Sequence, residues 1–112
     1  MPLISSLGLM KAVGFGFSTP AGTAIAVAHA TTPFVSAYPW SSGFGTKYAD
    51  PSTLPTGNGR GVGFDSLGTS IAVAHDTTPF ISAYPWSAGF GTKYANPSVL
   101  PTGNANNVSF LN

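Results

Sequence analysis

Short apolar runs of alternating bulk, broken by turn residues, set the pattern of this chain. In Ile71-Ala72-Val73-Ala74-His75, the large side chains fall on one face of an extended strand and the two alanines on the other. Three more short segments belong to the same unit. Gly61-Val62-Gly63-Phe64 precedes this run and ends in the turn Asp65-Ser66-Leu67-Gly68. Phe80 to Tyr84 follows and is stopped by Pro85, which has no N–H to give a ladder. Gly91-Thr92-Lys93-Tyr94 is the weakest strand candidate and leads into the Pro-rich connector 96–101. Nowhere does a long amphipathic helical run occur, and Gly, Pro, Ser and Thr dominate while Glu is absent. The pattern predicts an all-β fold with four strands per unit.

The unit is repeated. Thr23–Asn58 aligns without a gap on Thr69–Asn104, a period of 46 residues, and 30 of the 36 positions are identical. The six differences are Ala24/Ser70, Ala30/Asp76, Val35/Ile81, Ser42/Ala88, Asp50/Asn96 and Thr53/Val99. A partial third copy, Thr102–Phe110, follows Thr56–Phe64 at the same period. The first copy opens more loosely, with Phe15-Gly16-Phe17 before a turn one residue longer than its counterpart. A period of this length with four short strands predicts propeller-type blades. A β-sandwich with a duplicated half is the alternative. The organisation expected is a docking segment at 1–11, a blade at 12–58, a second at 59–104 and a spare inner strand at 105–112.

Phe64–Asp76 resembles the first hairpin of a WD40-type blade. Phe80-Ile81-Ser82-Ala83-Tyr84 resembles its third strand, with Tyr84 where that family often has Trp. The resemblance spans most of both repeats and implies a β-propeller. The Trp-Asp and Gly-His dipeptides of that family are missing, so its side-chain hydrogen-bond network does not carry over to His29 or His75. Ala-Tyr-Pro-Trp-Ser and Gly-Phe-Gly-Thr-Lys-Tyr are also similar to WD40-like repeats in tailed-bacteriophage structural proteins. That likeness implies a virion or another extracellular assembly.

Two blades cannot close a ring, which takes roughly four to eight. Three chains would supply six blades and four would supply eight, so the chain is expected to associate with itself. The spare strand Asn107-Val108-Ser109-Phe110 can serve the next chain's first blade, although Phe15–Phe17 competes for that slot. A closed ring is favoured over an open filament, the outcome if the exchange propagates.

Charge and candidate chemistry narrow the function classes. Only 6% of the 112 residues are charged, against roughly 25% in ordinary soluble domains. The net charge of +1 leaves no basic stripe for nucleic acid. No apolar run is long enough for a membrane-spanning helix. The segment 1–11 lacks the basic start of a secretory signal and reads as a retained docking piece. Cysteine is absent, and the acids are Asp50, Asp65 and Asp76 alone. A His-Asp pair occurs only at His75-Asp76, because the first copy has Ala30 there. That supplies neither a general-base pair nor a metal ligand set. No catalytic residue, metal or cofactor is expected; the two histidines read as hydrogen-bonding residues at strand ends. Thr56 to Gly61 reads as a turn between blades, since a phosphate loop would need a helix and a Lys-Ser/Thr ending.

The aromatics carry the remaining signal. Tyr38-Pro39-Trp40 and Tyr84-Pro85-Trp86 recur at the end of the third strand, followed by Phe44, Tyr48, Phe90 and Tyr94. Two uses are open. Tyr38, Trp40, Tyr84 and Trp86 could stack on sugar rings as a multivalent lectin, or they could pack between blades or chains. The leading expectation is a non-enzymatic structural or adhesion module partnered by itself, with other virion proteins or surface glycans as further partners. A fragment of a longer propeller is a third possibility.

Overall fold

A computed structural model describes residues 23–111. The segment expected to dock, 1–11, and the competing strand Phe15–Phe17 lie outside them. The described residues are all-β and contain no helix, so none is long and apolar enough to cross a membrane. They form two small antiparallel sheets. The first pairs β1 (Ala24–Ala28) with β2 (Val35–Pro39). The second has the order β3 (Gly59–Phe64), β4 (Ser70–His75), β5 (Ile81–Pro85).

The register follows the alternation. Ile71 lies opposite Tyr84 and Phe64, and Val73 lies opposite Ser82 and Val62, so one face of the second sheet is bulky. Ala72 and Ala74 lie opposite Ala83 and Ile81 on the other face. In the first sheet, Ala26 and Ala28 lie opposite Ala37 and Val35. The core forms where this small-residue face of the first repeat meets the bulky face of the second. Val35, Ala37, Ile71, Val73, Tyr84 and Trp86 are buried there, with Ala24, Ala26, Tyr48, Phe64 and Phe90 packed around them. Small against large lets two sheets approach closely and exclude water.

The link between the repeats is a close backbone approach. The Gly59 N–H donates to the His29 carbonyl at 2.9 Å. A Cβ at Gly59 would collide with the Phe34 carbonyl oxygen, so this junction needs glycine. A bulge between Gly59 and Gly61 then sets β3 beside β4. The Asp65 turn closes the hairpin. Its carboxylate accepts from the Thr69 N–H and hydroxyl, both at 2.7 Å, and Gly68 takes φ 70°. The Thr69 hydroxyl bond, together with the backbone N–H groups, holds that carboxyl below the ordinary aspartate value.

Two expectations are corrected. Gly91–Tyr94 and its counterpart 45–48 are not strands. Each runs beside its sheet with two spaced backbone bonds, Gly91 N–H to the Pro85 carbonyl at 2.7 Å and Tyr94 N–H to the Ala83 carbonyl at 2.8 Å, matched by Gly45 to Pro39 at 2.8 Å and Tyr48 to Ala37 at 2.9 Å. The connector prolines beyond have no N–H to extend these contacts into a ladder. Pro85 does not stop β5 but ends it from within. It lies opposite Ser70, and its carbonyl accepts from the Gly91 N–H at 2.7 Å.

Candidate functional site

The Tyr-Pro-Trp segment is built the same way twice. After each Trp the chain turns back, giving isolated bridges Trp40 to Phe44 and Trp86 to Phe90. Gly89 takes φ 143° at this turn, which side-chain-bearing residues rarely adopt. The turn brings each Phe edge-on to its Tyr and Trp. Ring centroids are 5.3 and 5.1 Å apart in the first repeat, and 5.5 and 5.2 Å in the second.

The surroundings of the two copies differ. Trp86 also meets Tyr48 at 5.0 Å and Phe64 at 5.1 Å, both edge-to-face. The Tyr84 hydroxyl donates to the Thr53 carbonyl at 2.7 Å, and burial pushes its pKa up to about 12. Trp86 is 6% exposed and Val73 fully buried, whereas Trp40 is 42% and Val27 44% exposed. The bulky face is therefore covered in the second repeat and open in the first. On the small-residue face the difference runs the other way along β2 and β5 only, since Ala72 and Ala74 of β4 stay buried. Val35 and Ala37 are fully buried, while Ala83 is half-buried and Tyr94 is 48% exposed. Beside Ala83, a cavity of about 190 Å³ is lined by Ile81, Ala83, Tyr94, Ala95, Asn96 and Pro97. Of the four aromatic ligand candidates, Tyr84 and Trp86 thus lie between the repeats, and Tyr38 and Trp40 lie at the open face.

The C-terminal segment occupies a defined place. The Ala105 N–H donates to the His75 carbonyl at 3.2 Å, one period after the bond from Gly59 to His29. Asn106 and Asn107 run against Gly61, and the Val108 carbonyl lies by Gly63. Asn107, Val108, Ser109 and Phe110 therefore follow the second repeat as β3 follows the first, but form no strand within this chain.

The histidines and Asp76 bond to neighbouring segments of the chain. His75 and Ser82 are both buried and hydrogen-bonded at 2.9 Å, and His29 bonds Ser36 at the same distance. These bonds tie neighbouring strands together, and burial of His75 lowers its pKa. Asp76 is turned away from His75's partners. It accepts from Arg60 at 3.2 Å and from the Asn58 N–H at 3.1 Å. Slight burial raises its pKa, but these contacts outweigh it and hold the carboxyl low. Among the described residues no three His or Asp side chains converge as a metal site.

Sequence reading alone missed the role of position 53. Its side chain differs between copies, Thr53 against Val99, but the contact uses the backbone carbonyl, so identity is free to vary. No family model, curated protein or solved structure matches the chain.

Proposed function

We propose that the chain is a non-enzymatic structural or adhesion module that works as a self-assembled array. Its repeats act as propeller-type blades, and the set is completed by further copies, as a closed ring in preference to a filament. A virion or another extracellular assembly is the setting that suits a low-charge repetitive chain of this kind. The observation that carries the reading is the unequal burial of equivalent residues. Trp86 is 6% exposed where Trp40 is 42%, and Tyr48 is half-buried where Tyr94 is 48% exposed. The described residues thus leave open two unlike apolar patches, and such patches call for a partner.

Negative-stain imaging of the purified 112-residue chain and of Trp40→Ala tests this. Rings or fibres dispersed by the substitution support it. Particles of single-chain size in both samples overturn it. Glycan capture by those single chains, abolished by Trp40→Ala, would establish the lectin function in its place.

A further inference from the structure

We propose that the partner is a second copy docked by the same 46-residue step that relates the two repeats, so that the inter-repeat interface is reproduced between chains. This rests on the self-assembly reading and names its register. The second repeat's open face, with Tyr94 and the cavity beside Ala83, receives the Tyr38–Trp40 segment of the second copy.

The argument is one of identity. Within the chain, Tyr48 and Phe64 pack edge-on to Trp86, and the Tyr84 hydroxyl reaches the Thr53 carbonyl. Advancing the first partner by one period and moving the second back by one gives Tyr94 and Phe110 against Trp40, and the Tyr38 hydroxyl on the Val99 carbonyl. Every aromatic in this set has the same type as its counterpart, and position 99, Val where 53 is Thr, contributes only its backbone carbonyl. Trp40, Tyr94 and Val99 are 42%, 48% and 84% exposed, so both halves are open to meet. The cavity beside Ala83 corresponds to the place where Val35 and Ala37 are fully buried by the second repeat. The occupant that fits it is therefore the segment that covers its twin.

The strand register follows. Val62 lies opposite Val73, and Phe64 opposite Ile71. Val108 of one copy then lies opposite Val27 of the second, and Phe110 opposite Ile25. Asn107–Phe110 already sits one period beyond β3, held by the Ala105 bond to His75. It gains a ladder partner when β1 of the second copy arrives.

The chain has no cysteine, so engineered thiols report this register without background. Opposed strand residues lie within disulfide reach. Val27→Cys and Val108→Cys proteins, one mass-tagged, are mixed under mild oxidation, with Val62→Cys/Val73→Cys in one chain as the geometric control. The proposal predicts that the 27–108 heterodimer predominates over both homodimers. Trp40→Ala, introduced into the Val27→Cys protein, should reduce its yield at least about tenfold. Assembled protein in which the control closes but no 27–108 bond forms overturns the register and leaves self-assembly standing. That is also the result expected if Phe15–Phe17 of the same chain fills the edge of β1. Protein that stays monomeric overturns both.

Discussion

The Tyr84 hydroxyl donates to the Thr53 carbonyl across 31 residues of chain and fastens the second repeat to the connector of the first. Tyr84 is fully buried and Thr53 exposed, so the bond lies at the edge of the core. Tyr84→Phe should therefore lower stability by about 1 kcal/mol in denaturant unfolding. Tyr38→Phe should leave single-chain unfolding unchanged and weaken association, since the proposed register puts its acceptor on a second copy. Equal effects of the two substitutions on dilute-protein stability would contradict this assignment.

Trp86 and Trp40 make the same comparison in apolar burial. Trp86 is surrounded by Tyr48, Phe64 and Phe90, so Trp86→Ala leaves a cavity and should cost about 3–5 kcal/mol. Trp40→Ala removes a ring that is 42% exposed. Its effect on a dilute chain should be under about 1 kcal/mol. Urea melts of the two variants at low protein concentration measure the difference.

Gly59 tests the junction between repeats. A methyl group there meets the Phe34 carbonyl, which is fixed by a backbone bond to the His29 N–H at 3.0 Å. Gly59→Ala should destabilise by about 1–3 kcal/mol, because backbone must move. Its counterpart one period later is already alanine, and Ala105 bonds His75 at a longer 3.2 Å. Ala105→Gly should therefore be nearly silent in the same thermal melt.

The pH dependence has a defined sign. Burial lowers the pKa of His75 below its ordinary 6.5, so the folded chain resists its protonation more than the unfolded chain does. Above pH 6.5 both states hold it neutral, and it adds no slope. Stability should fall as pH drops from 6.5 toward the lowered folded value, then level off for this group. His75→Gln should flatten that window in denaturant midpoints measured from pH 7.5 to 5. An unchanged slope would assign the effect elsewhere.

Much of this arrangement was legible before the structure. The Ile-Ala-Val-Ala-His alternation gave the faces of β4, and the Asp65–Gly68 turn gave the hairpin, because both are local effects of side-chain period and turn chemistry. The fourth strand did not form: Gly91 and Tyr94 each donate one backbone bond to β5, and the connector prolines beyond them have no N–H to extend these into a ladder. The inequality of Trp40 and Trp86 was hidden, because identical residues in near-identical repeats differ only in what lies next to them. The carbonyl at position 53 was hidden too, because a backbone acceptor leaves no residue-type signal.

The mass of the 112-residue chain in solution, by light scattering across a concentration series, tests the central claim most directly. The account predicts species at multiples of 11.4 kDa that grow with concentration and dissociate in Trp40→Ala. A constant 11.4 kDa particle at every concentration would contradict it.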